Sequence, residues 1–368
     1  MKRGKNKTPN LNRNAGLKRQ LNQSLFNFNS EWVDTSNAKT TRTKFNCIDL
    51  FAGAGGISCG FDMAGLNTLL GVEIDPIASD TFRNNFPDAK QYCGDIKQLS
   101  VEKLKEIIGD EPIHVITGGF PCQGFSVAGY RNPNDKRNVL YQEVVRIVKE
   151  LKPWCVILEN VPGVITMKGG EVYRAILKDF ADIGYPNMSA YILEAADYGV
   201  PQLRTRTIFV ANRFGLPNYY PKPQFKPETY VPIESAIDDL KSIDPNPLIN
   251  HEWTKHSKKM EKRIAKVGPG RSLYENFVDA YKRQYKGVPA MTIKENHGGS
   301  HIHYELNRCI SAREMARLQS FPDSFIFSGT MKKAMWQIGN AVPPLLFKNI
   351  GIAVTLMLKQ IEKKYKDQ

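Results

Sequence analysis

The sequence predicts a doubly wound α/β fold, in which a mostly parallel sheet carries helices on both faces and a smaller domain follows. From residue 45 onward, short apolar runs of strand length alternate with segments whose apolar residues recur at helical spacing. Glycine, proline and aspartate separate these runs, as they do where strands and helices connect. Such alternation is typical of parallel sheets, whose ligands lie at the carboxyl ends of the strands.

The first strand covers 45–51 and ends at glycines, and the first helix covers 56–65 and is terminated by Gly65. Pro76 begins the second helix, because proline is favoured in a first helical turn. In chain order, the later elements are a strand over 68–74, a helix over 76–86, a strand over 89–95, a helix over 101–108, a strand over 113–119, a helix over 139–151, a strand over 154–161, a helix over 172–184, and strands over 189–194 and 206–211.

Residues 212–287 interrupt this alternation. They are rich in proline, tyrosine, lysine and histidine and contain few strand-like runs, which predicts a linker and a small second domain. Order returns with a helix over 311–321, where Ser311 and Glu314 form a capping box. A last helix begins at Pro343 and Pro344, and we interpret its apolar stripe as core packing.

The net charge of +14 is concentrated in two segments. Residues 1–44 hold ten Lys and Arg against Glu31 and Asp34, a net charge of +8, and we expect a mobile basic arm there with a short helix near 15–27. Residues 251–287 carry a net charge of +6. Two basic stretches on an otherwise neutral chain indicate a polyanion such as a nucleic acid, although solvated surfaces would show the same pattern.

Apolar runs long enough to span a membrane are absent, and the basic N-terminus lacks the apolar core of a secretory signal. The six cysteines form no CxxC pair, which favours a reducing cytosol over a disulfide framework. The histidines near Cys309 match no common zinc spacing, so we expect no metal site.

A glycine loop follows the first strand and opens a helix. Gly53, Gly55 and Gly56 allow a ligand to approach the backbone closely. Glu73 ends the second strand 20 positions after Gly53 and can accept both hydroxyls of a ribose. Asp95 ends the third strand and could reach an adenine amino group. The spacing is compatible with a dinucleotide and with S-adenosylmethionine, and the glycines alone could also serve a tight turn.

A cysteine lies in a second loop at a strand end. Pro121 and Gly124 flank Cys122 in a way that presents its thiol at the edge of the sheet. A lone cysteine is more often inert, but Glu159 ends the next strand and should lie beside this loop. A buried carboxylate needs a partner. Arg204 and Arg206, two residues apart, could supply it.

Together these blocks resemble the cytosine-5 DNA methyltransferases of bacterial restriction–modification systems. The resemblance covers about 45–212 and 288–355 and rests on eight blocks in the family's order: DLFAGAGG, VEIDP, GDI, GGFPCQGFS, LENV, QLRTRTIFVA, AREMARLQSFPDSF and QIGNAVPP. It implies an S-adenosylmethionine-dependent methyltransferase fold. With the basic N-terminal arm (1–44) that the composition indicates, the expected parts are a catalytic and cofactor-binding domain (45–212 with 311–368) and a target-recognition domain (213–310).

The resemblance implies a covalent mechanism on duplex DNA. Cys122 is then the nucleophile that adds to carbon 6 of a flipped cytosine, and Glu159 supports protonation at N3. Arg204 and Arg206 orient Glu159 and the cytosine carbonyl, and the loop over about 123–139 closes over the DNA. The residues expected to contact S-adenosylmethionine are Phe51, Gly53, Gly55, Gly56, Glu73, Ile74, Asp95, Ile96, Phe120, Leu140, Asn340 and Val342.

The target sequence stays open, because 213–310 matches no family-wide block. His303 and Tyr304 stand where the family usually has His-Pro. The stretches 251–287 and 294–303 are candidates for contacts in the DNA grooves. We expect a monomer in the bacterial cytoplasm, with a cognate restriction endonuclease acting on the same site.

Two alternatives remain at this point: a transfer RNA cytosine-5 methyltransferase and a catalytically silent DNA-binding regulator. The loop GFPCQGFS favours the DNA enzymes, and the presence of Cys122, Glu159, Arg204 and Arg206 argues against a silent relative. Methyl transfer to duplex DNA or to transfer RNA would separate the two enzymes.

Overall fold

The computed structural model describes residues 29–120, 139–274, 280–295 and 301–365. Cys122, nearly all of the loop over 123–139 and the helix expected near 15–27 lie outside the described residues. The strands within these ranges are β1 (Ser30–Val33), β2 (Asn46–Leu50), β3 (Asn67–Glu73), β4 (Lys90–Cys93), β5 (Val115–Gly118), β6 (Cys155–Asn160), β7 (Ser189–Glu194), β8 (Thr205–Asn212), β9 (Asn218–Pro221), β10 (Lys282–Arg283) and β11 (His301–Ile302). The α-helices are α1 (Gly56–Met63), α2 (Pro76–Asn85), α3 (Val101–Ile108), α4 (Val139–Leu151), α5 (Gly163–Thr166), α6 (Glu171–Asp182), α7 (Glu234–Ile237), α8 (Lys258–Ile264), α9 (Ala312–Leu318), α10 (Met331–Asn340) and α11 (Pro344–Tyr365).

Seven strands form the central sheet in the order β4-β3-β2-β5-β6-β8-β7. The first five run parallel, whereas β8 is antiparallel to both of its neighbours. The chain passes from β2 to β3 and β4 on one side and returns to β5 on the other side. Strand order therefore reverses between β2 and β5, which is where such sheets bind ligands. The predicted fold class, a doubly wound and mostly parallel sheet, is confirmed.

Alternate residues of each strand face two different cores, as the two-residue period of a strand requires. One core joins Ile48 and Leu50 of β2 to side chains of α3, α4 and α6. The other joins Cys47 of β2 to side chains of α1 and α11. Helices therefore cover both faces of the sheet. On the second face, α1 from the beginning of the sheet-forming region packs against α11 from the end of the chain.

Helix α11 packs closely on α1. A Cβ atom on Gly60 would lie 2.5 Å from the Pro344 carbonyl oxygen and 2.6 Å from the Phe347 Cβ, so only glycine fits there. The span Met331–Tyr365 is long and apolar enough to cross a membrane, but 78% of its most apolar window is buried within the protein. The apolar stripe is a core surface, as the sequence predicted.

Residues 29–44 differ from the mobile arm that the sequence predicts. Strand β1 pairs in parallel with β9, and the Trp32 ring lies 5.0 Å from Tyr191 and 5.6 Å from Tyr220, centroid to centroid. Thr35 is buried and donates to the Asn349 side chain of α11 at 2.6 Å. Residues 29–44 therefore form a strap across the second face of the sheet. The rest of the expected arm, residues 1–28, lies outside the described residues.

Core packing also crosses the expected borders of the small domain. Tyr219 and Tyr220 of β9 fall within 213–310, yet they belong to the core under α11. Conversely, α9 and α10 share a core with Ile233, Ile237 and Ile310. Helix α9 buries six of its seven residues, so it is a central element of this smaller core rather than an edge of the large domain.

We predict that Trp32→Ala lowers the free energy of unfolding by about 2–3 kcal/mol, because a partly buried aromatic ring loses its contacts with two tyrosines. Chemical denaturation measures this change. The control is Leu248→Ala, whose side chain is 80% exposed and should alter stability by less than about 0.5 kcal/mol. Equal stabilities for the Trp32 variant and the wild type would show that the strap adds nothing to the fold.

Candidate active site

A cavity of about 760 Å³ opens at the carboxyl ends of β2, β3, β5 and β6. It lies at the reversal of strand order, where the fold predicts a ligand. Its walls contain 14 of the predicted site residues: Phe51, Gly53, Gly56, Glu73, Ile74, Asp95, Ile96, Phe120, Leu140, Glu159, Arg204, Arg206, Asn340 and Val342. The glycine loop, the strand-end carboxylates and the turn after α10 therefore meet around one space.

Backbone amides hold the Glu73 carboxylate in the cavity wall. The amide of Gly53 donates to Oε2 at 2.8 Å, and those of Ile74 and Asp75 donate to Oε1 at 2.9 and 2.8 Å. Gly53 adopts φ +55°, a left-handed conformation that favours glycine. The glycine loop and the end of β3 are thus fixed to each other through one side chain.

Gly56 allows the far end of the chain to complete the cavity. A Cβ atom there would lie 2.6 Å from the Val342 carbonyl oxygen. The turn between α10 and α11 therefore rests directly on the first residue of α1. This confirms that the block GNAVPP returns to the first glycine loop, as the resemblance implied.

Gly55 is the predicted cofactor residue that does not line the cavity. It caps α1 at φ +98°, and a Cβ atom on it would lie 2.4 Å from Cε2 of Phe86. Glycine is needed here for two reasons: the helix begins from a left-handed backbone conformation, and the Phe86 ring occupies the space that a Cβ atom would take.

Apolar and acidic groups alternate along the part of the cavity nearest β3 and β4. Asp95 is half-buried and accepts from the Lys97 amide at 3.0 Å, which fixes its carboxylate at the end of β4. Ile96 is buried, whereas Ile74 is 63% exposed. Two fixed carboxylates for hydroxyl and amino donors, with apolar side chains between them, fit the adenosine part of S-adenosylmethionine.

Glu159 and Arg206 form an ion pair inside the cavity wall. Nε of Arg206 lies 2.6 Å from Oε1 of Glu159, and their side chains are 14% and 11% exposed. A Cβ atom on Gly119 would lie 3.0 Å from Oε2 of Glu159, so this glycine makes room for the carboxylate. The buried carboxylate has the arginine partner that its burial requires.

Arg204 differs from its expected role, since its guanidinium makes no hydrogen bond or ion pair with Glu159. It donates to three backbone carbonyls: those of Ile293 at 2.8 Å, Gly339 at 3.1 Å and Ala341 at 2.9 Å. Burial, followed by the nearby charge of Arg206, lowers the pKa of Arg204 well below its usual value. Strand β8 begins at Thr205, so Arg206 lies within the strand and Arg204 precedes it.

The sequence analysis missed two buried polar side chains: Asn160, which lines the cavity, and Asp49, which lies in β2 outside the lining. Asn160 donates to the Phe120 carbonyl at 3.1 Å and accepts from the Val161 amide at 2.9 Å, which fixes the chain where it leaves β5. Asp49 lies 1% exposed in β2 and accepts from the Ser58 hydroxyl at 2.7 Å, and burial raises its pKa to about 7. A polar residue inside an apolar strand run was the available signal for both.

Comparison with known proteins agrees with this site. The sequence profile of the C-5 cytosine-specific DNA methylases matches residues 45–355. The chain is 38% identical over 325 residues to the Type II methyltransferase M1.HphI of Haemophilus parahaemolyticus, covering 84% of this chain and 86% of that one. It is 33% identical over 375 residues to the Type II methyltransferase M.DdeI of Desulfomicrobium norvegicum, covering 86% and 90%.

A crystal structure of a putative DNA modification methyltransferase encoded within an Escherichia coli prophage superposes on the chain. Its TM-score is 0.73 at 28% sequence identity, over 86% of this chain and 99% of that one. The family profile, which matches residues 45–355, spans the glycine loop, the Glu159–Arg206 pair and the turn after α10, so the sequence likeness includes the residues that line the cavity. The chain therefore belongs to the C-5 cytosine-specific DNA methylase family, and it is a DNA cytosine methyltransferase that uses S-adenosylmethionine as its methyl donor.

Proposed function

We propose that this enzyme methylates carbon 5 of a flipped cytosine within a specific duplex sequence, through a covalent adduct with Cys122. The observation that carries this proposal is the Glu159–Arg206 ion pair in the wall of the cofactor cavity, beside the chain that leads to Cys122. Phe120 lines the cavity, and Cys122 follows it two positions later in the sequence. Glu159, the cofactor cavity and the segment that precedes Cys122 in the sequence thus meet at one edge of the sheet.

The chemistry requires these groups, because carbon 5 of cytosine is a poor nucleophile. The Cys122 thiolate adds to carbon 6, and the electron pair of the 5,6 double bond makes carbon 5 enamine-like. Glu159 supports protonation at N3, which accommodates the charge that the addition would otherwise place on the ring. Arg206 pairs with Glu159 and also lines the cavity, where its guanidinium is proposed to donate to the cytosine carbonyl. S-adenosylmethionine supplies an electrophilic methyl group on a sulfonium.

After methyl transfer, carbon 5 carries both the methyl group and a proton. A base removes that proton, the 5,6 double bond re-forms and the Cys122 thiolate is expelled. The target base has to leave the stack for any of these steps, since the cavity lies at a strand end inside the protein. Arg204, held by backbone carbonyls, is proposed as a support of the cavity wall rather than a direct partner of Glu159.

The recognition region, residues 213–310, is the proposed reader of the DNA sequence. Eight of the ten basic side chains in 251–287 are exposed: Lys255, Lys258, Lys259, Lys262, Arg263, Lys266, Arg271 and Lys286. Arg283 is instead buried and donates to the carbonyls of Ile264, Val267, His303 and Leu306. An exposed basic surface around α8 suits phosphate contacts.

The biological setting follows from the relatives, which are named Type II methyltransferases. We propose a monomer in the bacterial cytoplasm that protects DNA from a cognate restriction endonuclease of the same specificity. Bisulfite sequencing of DNA from cells expressing the protein tests the activity and identifies the methylated sequence. Random or absent methylation would contradict a sequence-specific enzyme.

Cys122→Ala is expected to abolish methyl transfer while DNA and cofactor still bind. Duplex DNA with 5-fluorocytosine at the target should trap a covalent adduct with the wild type, because fluorine at carbon 5 cannot leave as a proton does. Denaturing electrophoresis measures the adduct. The matched control is Cys93→Ala, which removes an exposed cysteine and should leave the adduct at its normal level. Adduct formation by the Cys122 variant would exclude it as the nucleophile.

Glu159→Gln should reduce the single-turnover methylation rate roughly 10²–10⁴-fold, the usual contribution of a positioned acid–base group. Cofactor affinity should change little. Glu143→Gln is the control, since Glu143 also pairs with an arginine, Arg146 at 2.6 Å, but does not line the cavity. Rates within a few-fold of each other in the two variants would remove Glu159 from the mechanism.

Glu73→Ala is expected to weaken S-adenosylmethionine binding roughly ten- to a hundredfold, because the ribose loses a charge-assisted hydrogen bond. Calorimetry measures the affinity directly. Asp88→Ala, which removes an exposed carboxylate outside the cavity, serves as the control. Unaltered affinity in the Glu73 variant would contradict its placement against the ribose.

A further inference from the structure

Arg204 connects two segments that are distant in sequence and meet at the cavity. Its Nη1 donates to Ile293, whereas its Nη2 donates to Gly339 and Ala341. The first segment belongs to the recognition region and the second to the turn that rests on the glycine loop. Both segments line the cavity. The side chain is 3% exposed, so water is not available to replace any of these bonds.

The segment 290–293 is bound along its length to the stretch before β8. The Ala290 amide donates to the Pro201 carbonyl and the Leu203 amide to the Ala290 carbonyl, both at 2.9 Å. The Ile293 amide donates to Oε1 of Gln202 at 2.8 Å. Because these bonds tie 290–293 to residues 201–203, which directly precede Arg204, a movement of the segment would also move Arg204.

On its other side, the same segment contacts the β10–β11 pair. The Met291 amide donates to Oε1 of Gln284 at 2.9 Å, and the Thr292 carbonyl lies 3.2 Å from Nε2 of His301. The Gln284 amide donates to the Ile302 carbonyl at 3.0 Å, which joins the two short strands. A continuous set of hydrogen bonds thus runs from the turn 339–342 through Arg204 and the segment 290–293 to the β10–β11 pair.

The chemistry of the guanidinium makes this connection stiff. Among the described residues, the Arg204 guanidinium makes no ion pair with a carboxylate, and its Nε has no hydrogen-bond partner; only the backbone amide of Arg204 meets a carboxylate, that of Glu194 at 2.6 Å. Within the described ranges, three carbonyls accept from the buried guanidinium, so separating the two segments would leave a buried donor unpaired at high cost. The planar fork can reach both segments at once, which a lysine ammonium cannot do in the same geometry.

We propose that Arg204 is a positioning residue that couples the cofactor cavity to the β10–β11 pair of the recognition region. This inference rests on the proposed function, since it assumes that the cavity binds S-adenosylmethionine and that the recognition region contacts DNA. A ligand that fixes the turn 339–342 restricts Arg204, which restricts 290–293 and then β10–β11. The linkage is reciprocal, so DNA held by the recognition region should strengthen the binding of S-adenosylmethionine.

Amide hydrogen exchange of the full-length protein, with and without saturating S-adenosylhomocysteine, tests the coupling. In the wild type, the bound ligand should slow exchange at Arg283, Gln284 and Ile302 roughly fivefold or more, although none of these residues lines the cavity. In Arg204→Gln, protection should remain at the glycine loop and be lost at β10–β11. Calorimetry in parallel confirms that the ligand is bound.

Arg313→Gln is the matched control. Arg313 is 1% exposed and donates to the carbonyls of Ile249, Pro322 and Phe325, but it does not line the cavity. It should lose stability as a buried arginine does and keep the ligand-dependent protection of β10–β11. If Arg204→Gln does not fold, Arg204→Lys, which retains the charge without the fork, takes its place with the same expectation.

The possible outcomes distinguish a failure of the proposed cofactor site from a failure of the proposed coupling. Absence of S-adenosylhomocysteine binding to the wild type would overturn the proposed cofactor site itself. Binding that protects the glycine loop but leaves β10–β11 unchanged in the wild type would overturn the coupling alone. Equal protection of β10–β11 in the wild type and in a folded Arg204 variant would show that the coupling does not pass through Arg204.

Discussion

The close approach of α11 to α1 is the contact on which the site depends. A sheet whose strand order reverses between β2 and β5 provides a floor and two sides for a ligand, but no cover over the glycine loop. Gly60 lets α11 lie against α1, and Gly56 lets the Val342 carbonyl touch the start of that helix. Any side chain at either position would push the turn 339–342 away and open the cavity on that side.

Buried arginines are a second recurring device in this fold. Arg204, Arg283 and Arg313 are each 5% exposed or less, and each donates to several backbone carbonyls from distant segments. Irregular segments such as 290–293 leave carbonyls without strand or helix partners, and a guanidinium can satisfy several of them at once. Arg283, one of the ten basic residues in the stretch 251–287 that indicates a nucleic acid partner, therefore has a structural role.

The sheet and most helices could be predicted from sequence because their information is local. The helices over 101–108 and 139–151 have the predicted bounds, since apolar spacing and flanking turn residues define both. The pairing of Glu159 with an arginine was also foreseeable, because a carboxylate in an apolar strand needs one. Which arginine supplies it was not foreseeable, because the Arg204 guanidinium binds carbonyls of Ile293, Gly339 and Ala341, which lie far along the chain.

The strap was hidden for a related reason. Strand β1 is four residues long, and its stability comes from Trp32 packing on tyrosines of β7 and β9 rather than from its own pattern. Likewise, nothing local distinguishes Gly55, which accommodates Phe86, from Gly53, which adjoins the cavity. Asn160 was overlooked because its bond to the Phe120 carbonyl joins the end of β6 to the segment after β5, 40 positions away in the sequence.

The position of the turn 339–342 also orders events during synthesis. The ribosome releases the glycine loop, Glu73, Asp95 and Glu159 long before Asn340 and Val342 emerge, so the nascent chain holds a cofactor floor without its cover. The sheet can form early, but the complete cavity exists only after α11 has docked on α1. Until α11 has docked, the glycine loop and its carboxylates therefore lack the wall that Asn340 and Val342 complete.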